Sequence, residues 1–524
     1  CYLMSIGRQS IQTTFSQIAA FLGRPVVAKE SIYALIKDFR LRLPEELFEP
    51  LYKAGGRPSI SPVLLSCVML LQFHDNVSDR EAVERAAYDV RWIDALGTEM
   101  GEPGFSQASL VNFRMRLLQH QQERIVFDQV IELARQQGIV TGTVKIIDST
   151  AVIGAGAVQD TYTLIRTAIQ KAMGVSGKRH HGRHQQMLDL LDGRTYEEAG
   201  KPNTVQWDDP QSRSAYLNEL VQDGMSVLTV LKEAEDLSDE EAQAMTVLQH
   251  VLGQDVEMTP TGQFAIRDGV AKDRVVSVGD PAMRHGHKSS RGLWDGYKAH
   301  VVIDEATELI ENVEITAANV PDGAAVTDVI EPVPNVDVLL GDCAYGTMAQ
   351  RIERETQQIE VVSPVVNAVN GDKFTKDAFT IDLDNETCRC PGGQEAQSVQ
   401  RSRQGKLKGF QFAESQCANC PMRGQCCKGK GGRIVRVHPH ERERQAARAK
   451  MNTPEYQELY RKRPKIERKI GEIVGHGMRR ARYIGKAKTK LQLLFTSSVV
   501  NIKRIAKLAS AIDGRSLPLR PKMA

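Results

Sequence analysis

Three carboxylates in this chain have the chemistry and the setting that divalent cations need for phosphoryl transfer. Asp148 ends the apolar run Val144–Ile147, and Asp342 follows the largely apolar run Val336–Leu340. Glu467 lies far downstream, in a basic segment. Short β-branched or leucine-rich runs predict strands, so we expect two acids at strand ends and one on a helix. Such a set can share a pair of divalent cations.

Each acid taken alone also has a simpler explanation. An Asp at the end of a strand often accepts bonds from its own backbone in a turn, and a Glu among arginines often forms a solvated ion pair. The sequence between the two aspartates favours the metal site. Residues Trp294–Ile310 and Val313–Asp322 predict a hairpin with a polar turn at Asp304–Glu308, followed by the start of a helix. The predicted order is therefore strand with acid, hairpin, helix, strand with acid, and helix with Glu467.

With this order of elements the chain resembles the DDE transposases of bacterial insertion sequences. Segments Gln159–Arg166 and Ser277–Arg284, together with a cysteine-rich insert before Glu467, are similar to the insertion-sequence family eleven-eighty-two. The resemblance covers roughly residues 45–510. It implies an α/β fold with a ribonuclease H-like catalytic core, in which a mixed sheet is flanked by helices. It also implies an all-α N-terminal domain, a helical insertion and a small cysteine-rich insertion.

The resemblance divides the chain into a DNA-binding part and a catalytic part. The expected boundaries are 1–135 for a helical N-terminal domain, 140–510 for the catalytic domain, 151–274 for its helical insertion, 373–435 for a zinc-ribbon-like insertion and 511–524 for a C-terminal tail. A chain of 524 residues exceeds one hydrophobic core, which agrees with several domains.

Carried over residue by residue, the resemblance makes Asp148, Asp342 and Glu467 the catalytic and metal-binding acids. The family's signature around the last acid is Tyr, two residues, Arg, three residues, Glu, six residues, Lys. Tyr460, Arg463 and Glu467 fit this signature, but its final position is Val474 rather than lysine.

Two features near Glu467, the missing lysine and Pro464, need an explanation. Arg479, Arg480 or Arg482 from the next turns can take the DNA-contacting role of the missing lysine. Pro464 is compatible with a helix only if the helix begins there, because proline is accepted in the first turn.

The implied mechanism is phosphoryl transfer with two Mg²⁺ or Mn²⁺ ions about 3.5 to 4 Å apart. An activated water cuts a strand at the transposon end, and the resulting 3′-hydroxyl attacks target DNA. Two alternatives stay open: a metal-dependent nuclease that cuts without joining, and a DNA-binding relative whose catalytic centre has decayed. A phosphatase that forms an aspartyl-phosphate is disfavoured, because Thr150 stands where a second Asp would be needed.

The expected partner is double-stranded DNA, both the terminal repeats of the element and the target. The net charge is only +3, but residues 461–490 contain twelve Lys or Arg against two Glu. The residues expected to contact DNA are Lys298, His300, Tyr460, Lys462, Arg463, Arg479, Arg480, Arg482, Arg114 and Arg116. The alternative for Lys298 and His300 is that they are polar residues of an exposed strand face without a DNA-binding role.

The N-terminal region predicts short helices with recognisable caps. Ser61-Pro62 opens a helix over Val63–Phe73, a capping box at Ser78–Glu81 opens a second, and a third follows Ser106. We expect Arg114, Arg116 and His120 on the exposed face of this third helix. The pattern fits a helix-turn-helix-like module, and a plain helical bundle or dimerisation domain is the alternative.

Two segments outside the acids are rich in possible ligands. Gly177–Gly182 and the basic residues beside it predict a phosphate-contacting or solvated loop, with helices over Tyr162–Met173 and Pro210–Val251. Six of the nine cysteines fall between residues 388 and 427. Cys390, Cys417, Cys420 and Cys426 are the favoured ligands of a structural Zn²⁺, Cys388 and Cys427 are spare candidates, and free thiols are the alternative.

The remaining expectations concern the end of the chain and its surroundings. Leu491–Leu508 predicts an amphipathic helix that covers the catalytic sheet. No apolar run reaches the roughly 18 residues of a membrane span, and no secretory signal is seen. We therefore expect a cytoplasmic bacterial protein without a membrane partner, associated with the nucleoid when bound to DNA. Because synapsis joins two DNA ends, we expect a homo-oligomer of at least two copies.

Overall fold

The computed structural model is a mixed α/β protein. It describes residues 4–7, 25–53, 55, 57–140, 142–197, 201–288, 292–366, 370–429 and 431–513, with side chains to residue 510. Most of the predicted tail 511–524 lies outside the described residues.

The strands form one large sheet and several small ones. In chain order they are β1 (Met4–Ser5), β2 (Arg57–Pro58), β3 (Val144–Ile153), β4 (Val256–Met258), β5 (Phe264–Ile266), β6 (Arg284–His287), β7 (Leu293–Asp304), β8 (Ile310–Ala317), β9 (Val338–Leu340), β10 (Glu360–Val362), β11 (Thr380–Asp382), β12 (Thr387–Arg389), β13 (Ser398–Arg401), β14 (Leu407–Gln411) and β15 (Ile434–Arg436).

The helices surround the large sheet and fill the N-terminal region and the insertion. In chain order they are α1 (Ile32–Arg40), α2 (Pro62–Asp75), α3 (Asp79–Tyr88), α4 (Val90–Leu96), α5 (Gln107–Gln119), α6 (Ile125–Gln136), α7 (Thr161–Arg179), α8 (His181–Leu190), α9 (Pro210–Lys232), α10 (Asp239–Asp255), α11 (Val326–Ile330), α12 (Met348–Thr356), α13 (Glu414–Ala418), α14 (Arg423–Cys426), α15 (Glu441–Lys450), α16 (Pro454–Tyr460), α17 (Pro464–Ile473) and α18 (Lys486–Asp513). A π-type turn at Val474–Met478 follows α17.

The large sheet has the order β10-β9-β3-β7-β6, with β8 also paired to β7. Strands β9 and β10 run parallel to β3, whereas β7 runs antiparallel to it. β7 and β8 form the predicted hairpin, and α11 follows it. The predicted order of elements from the first acid to the last is confirmed.

The predicted N-terminal helices are confirmed, and local capping explains where each begins. The Ser61 side chain accepts a bond from the Leu64 N–H at the start of α2. Ser78 and Glu81 form a reciprocal capping box at α3, and Ser106 caps α5. These side chains satisfy backbone donors that a first helical turn leaves without partners.

The last helix, α18, joins the N-terminal helices to the sheet. Its residues Leu491, Phe495 and Val499 are buried in one hydrophobic cluster with α1, α2 and α6, and Leu493 and Leu494 are buried against the sheet. The predicted covering helix is thus confirmed. It also contributes to the core of the region expected to be a separate N-terminal domain.

The insertion forms a helical unit with its own hydrophobic cluster. The loop predicted at Gly177–Gly182 is wrong, because α7 continues to Arg179 and α8 begins at His181. Buried Glu241 of α10 accepts bonds from Ser176 and Arg183 across this corner. Such charged hydrogen bonds outweigh the roughly 1 kcal/mol that a glycine costs inside a helix.

The cysteine-rich region also has its own small core. Cys388, Phe410 and Phe412 are buried there beside two small antiparallel sheets, β11-β12 and β13-β14-β15. Among the described helices, none combines the length and apolar character that a membrane crossing needs.

A buried charge cluster fixes the start of β3 against β7. Lys145 donates to Asp304 Oδ1 at 3.2 Å, to Glu311 Oε1 at 2.6 Å and to the Gly142 carbonyl oxygen. All three charged side chains are at most 1% exposed. Burial raises the pKa of Glu311, although Lys145 opposes the rise.

Replacing this lysine should destabilise the whole protein. Lys145→Met leaves two carboxylates buried without a cation, and breaking a buried ion pair in this way costs about 3–5 kcal/mol. Thermal unfolding should show a clear fall in midpoint, whereas the exposed-site control Lys272→Met should melt like the wild type. Adding Asp304→Asn and Glu311→Gln to Lys145→Met should restore part of the loss. A Lys145→Met protein as stable as the wild type would contradict the assignment.

Candidate active site

The two aspartates are carried by neighbouring parallel strands. The register pairs Ile146 of β3 with Leu340 of β9. Asp148 and Asp342 each lie two residues beyond this pair, so both reach the edge of the sheet that forms where β9 ends. The prediction that Asp148 ends its own strand is wrong, because β3 continues to Ile153 and Asp148 pairs with Val301 of β7. Each is fixed locally, because Asp148 Oδ1 accepts from the Ser149 N–H at 2.8 Å and Asp342 Oδ1 accepts from the Ala344 N–H at 2.9 Å.

Glu467 reaches this edge from the first turn of α17. The helix begins at Pro464, as its sequence required, and Ile466 and Ile473 are buried against the sheet. This apolar stripe fixes the rotation of the helix. The side chain of Glu467 consequently lies on the opposite, open side and is 58% exposed.

Arg463 lies between two of the three acids. Its Nη2 donates to Asp148 Oδ2 at 2.8 Å, and its Nη1 donates to Glu467 Oε1 at 2.9 Å. Its side chain is 18% exposed. The sequence placed Arg463 near the acids, but it did not predict that one guanidinium contacts both.

The negative charges of the other two acids act on Asp148. Burial raises the pKa of Asp148 to about 6; the Ser149 N–H and Arg463 oppose this rise, and the negative charges of Asp342 and Glu467 add to it. Among the described residues, however, no three or more His, Cys, Asp or Glu side chains are arranged so that they could hold a metal ion.

A buried hydrogen-bond network supports the acid-bearing strand from behind. His300 Nδ1 lies 3.0 Å from the Tyr345 hydroxyl, and His300 Nε2 lies 2.9 Å from Thr316 Oγ1. Tyr345 also bonds to the Ser149 side chain, next to Asp148. His300 is fully buried. The outward orientation expected for His300 is therefore wrong, because its ring nitrogens are paired inside the sheet.

Two lysines expected at the DNA are held by protein partners. Lys298 Nζ donates to the Val320 carbonyl oxygen at 2.8 Å and to Asp322 at 2.9 Å. Lys462 pairs with Glu305 at 3.4 Å. Tyr460 stacks on Tyr456, with ring centroids 6.0 Å apart.

The arginines after α17 are divided between two surfaces. Arg479 Nη1 donates to Thr150 Oγ1 at 3.1 Å and to the Ala151 carbonyl oxygen at 2.8 Å. Because alternate strand residues share a face, Thr150 is on the face of β3 that carries Asp148. Arg480 is exposed beside it. Arg482 instead bonds to the end of α2, at Asn76 and Val77.

The two N-terminal arginines have structural contacts. Arg114 is 6% exposed, pairs with Asp79 and lies over the ring of Tyr483. The prediction that Arg114 is exposed is wrong, since α3 and the segment before α18 cover it. Arg116 is half-buried over the ring of Tyr52, whereas His120 is exposed.

The cysteines expected to bind zinc lie around one small cavity of about 20 Å³. The cysteines that line it are Cys390, Cys417, Cys420, Cys426 and Cys427. Cys388 is fully buried in the adjacent core. Burial, followed by the neighbouring Cys427, raises the pKa of Cys426 to about 11. As positioned, these side chains do not form a metal-holding group, so the structure does not support the zinc expectation.

Comparison with known proteins gives two family matches. Residues 389–506 match the model described as Transposase DDE domain, and residues 29–116 match the model described as Transposase domain (DUF772). No curated protein and no solved structure matches the chain. The matches confirm the recognition of a DDE-type insertion-sequence transposase, although they do not test the numbered insertion-sequence family. They indicate a DNA transposase function and, in general terms, a nuclease or transferase activity.

The buried imidazole predicts a specific pH dependence of stability. Burial lowers the pKa of His300 from 6.5 to about 4. The neutral ring therefore contributes stability that is present above about pH 6.5 and is lost as the pH falls through 4, amounting to at most about 3 kcal/mol. His300→Gln should be less stable than the wild type at pH 7, and the gap should narrow toward pH 4.

Thermal midpoints between pH 4 and 7.5 test this expectation. His181→Gln is the matched control, because His181 is exposed and lies outside the buried network of His300. A gap between His300→Gln and the wild type that stays constant over this range would show that His300 titrates normally in the folded protein.

Proposed function

We propose that this chain is a DNA transposase that binds the ends of an insertion sequence and catalyses metal-dependent strand cleavage and strand transfer. The observation that carries the proposal is the convergence of Asp148, Asp342 and Glu467 at one sheet edge. Two come from neighbouring parallel strands and the third from a helix packed on the same sheet. Burial is the main cause of the raised pKa of Asp148, and the negative charges of the other two acids add to the rise.

The catalytic core is proposed to be ribonuclease H-like. Supporting this, β8, β7 and β3 are successive antiparallel neighbours, and β9 and β10 continue the sheet parallel to β3. The proposed domains keep their boundaries: 1–135 for DNA binding, 140–510 for catalysis, 151–274 for the helical insertion and 373–435 for the cysteine-rich insertion. The insertions agree with the separate hydrophobic clusters of these segments.

The chemistry of the donor set fits two Mg²⁺ or Mn²⁺ ions. Carboxylate oxygens are the ligands these cations prefer, and the guanidinium of Arg463 already occupies the place of a cation between Asp148 and Glu467. Asp148 and Asp342 would hold the ions, and Glu467 would complete the coordination. Bound metal supplies an activated water and stabilisation of the leaving oxygen. With a pKa of about 6, Asp148 is largely ionised at neutral pH and available as a ligand.

DNA is proposed to lie across the acid-bearing face of β3. Arg479, Arg480 and Tyr460 surround this face, and the arginine fork suits phosphate oxygens. Arg479 takes the role of the lysine that Val474 replaces, because its guanidinium lies beside Thr150 on the face that carries Asp148. His300 and Arg114 do not belong to this surface, since both are buried. The protein would act as a dimer or larger oligomer to bring two ends together.

Substitution of the acids tests the proposal directly. Asp148→Asn, Asp342→Asn and Glu467→Gln should each abolish cleavage and strand transfer on labelled DNA with Mg²⁺ or Mn²⁺. We expect a loss well beyond the roughly 10–100-fold that changes around metal ligands cause, with DNA binding retained. The control Glu472→Gln alters a carboxylate of the same helix that pairs with Lys469, and it should remain active.

The outcomes separate the open alternatives. Wild-type protein that cuts but never joins DNA would favour the nuclease. Wild-type protein that binds DNA without metal-dependent cutting would favour the decayed relative. Full activity in any one of the three acid variants would remove that residue from the site.

A structural Zn²⁺ in the cysteine-rich region is a secondary proposal, supported by the five cysteines around one cavity. Zinc binds thiolates, so its binding would release the thiol protons. Burial raises the pKa of Cys426 and makes this release less favourable there. Purified protein should then contain about one zinc per chain, because a closed site of four thiolates holds one ion. Cys417→Ser with Cys420→Ser should lose it, and Cys67→Ala, buried in α2, should keep it. Zinc-free wild type of normal stability would refute the site.

A further inference from the structure

One arginine satisfies two of the three proposed metal ligands. The Nη groups of Arg463 donate to Asp148 at 2.8 Å and to Glu467 at 2.9 Å, while its Nε is buried without a partner among the described residues. The hydrogen bonds of this guanidinium therefore go to the proposed metal ligands. The sequence around Arg463 is strongly basic and does not by itself predict these contacts.

These bonds are incompatible with metal bound to the same oxygens. A Mg²⁺ ion requires its ligands at about 2.0–2.1 Å, and a guanidinium at hydrogen-bond distance from those ligands would lie close enough to repel it strongly. The lone pairs that face Arg463 would also have to turn toward the cation.

The backbone around Arg463 is anchored, so its side chain can leave without unfolding the helix start. Lys465 donates to the Glu305 carbonyl oxygen at 2.9 Å and pairs with the Glu305 carboxylate. Ile466, three residues beyond Arg463, is fully buried in the sheet core. Rotation about side-chain bonds is enough to release the guanidinium toward the open side of the site.

We propose that Arg463 is a resident counter-ion of the metal-free site, and that it exchanges its two carboxylates for a DNA phosphate when divalent cations bind. This inference rests on the proposed function, because it takes Asp148 and Glu467 as metal ligands. The guanidinium fork fits a phosphate as well as it fits a carboxylate. The exchange keeps an arginine and its partner charges paired in both states.

The exchange links metal binding to DNA binding. If metal frees Arg463 for DNA, then metal must raise DNA affinity, and DNA must raise metal affinity by the same factor. An arginine that merely positions the acids predicts the opposite for its removal: the carboxylates would repel each other and metal affinity would fall. The counter-ion role and the positioning role therefore predict opposite changes in metal affinity when Arg463 is replaced.

The first experiment measures Mn²⁺ binding to the full chain without DNA, by titration calorimetry. Arg463→Gln should bind Mn²⁺ about tenfold more tightly than the wild type, the size expected when a competitor with charge-assisted hydrogen bonds is removed. Arg463→Met serves as a second variant should the glutamine fail to fold. Arg468→Gln is the matched control, because Arg468 lies in α17, the helix that directly follows Arg463, but pairs with Glu308 outside the site.

The second experiment measures binding to a labelled duplex in EDTA and in Mn²⁺. The duplex ends at the cleavage position with a 3′-deoxy terminus, so that neither cleavage nor joining can occur. Wild type and Arg468→Gln should bind more tightly with Mn²⁺, and Arg463→Gln should lack this increment.

The failures are distinguishable. Mn²⁺ affinity that is unchanged or weaker in both Arg463 variants, while Asp148→Asn abolishes binding, would overturn the counter-ion role and leave the proposed function standing. If Mn²⁺ still increases the DNA affinity of Arg463→Gln, then Arg463 does not exchange its carboxylates for a DNA phosphate. Mn²⁺ binding that Asp148→Asn and Glu467→Gln leave unchanged would overturn both this inference and the proposed acid site.

Discussion

Repulsion among three carboxylates at one sheet edge is the constraint that the surrounding structure has to balance. The β3–β9 register and the packing of α17 bring Asp342 and Glu467 into electrostatic range of Asp148. Arg463 offsets part of this repulsion by contacting two of them. The carboxylates are thus concentrated at one edge, and the chain carries its own cation to stabilise them.

The rigidity of this edge comes from elements that are remote in sequence. α18 packs on both the sheet and the N-terminal helices, so the two regions share a hydrophobic core. The turn after α17 adds further links: His476 bonds to the His74 carbonyl oxygen, and Ala481 bonds to the Ile153 carbonyl oxygen at the end of β3. The strand that carries Asp148 is therefore connected through this turn to the helices expected to bind DNA.

Local sequence predicted most of the elements, because caps and strand periodicity are local effects. Ser61, Ser78 and Ser106 each marked a helix start correctly. The insertion corner at Gly177–Gly182 was predicted wrongly, since its helices are held by Glu241, some sixty residues away. Residue type also led to wrong predictions of exposure for His300 and Arg114, because the groups that cover them come from segments distant in the sequence. Of the three acids, the family matches include only Glu467.

The sequence by itself determined the transposase recognition and the order of the strands and helix that carry the three predicted acids, because these depend on residue type and local pattern. Only the tertiary structure decided which charged side chains reach solvent and which are paired with other groups of the protein. Those outcomes depend on strand register and on helix packing between residues up to several hundred positions apart. Arg463 illustrates the difference: its motif predicted a place near the acids, and folding alone put its guanidinium between Asp148 and Glu467.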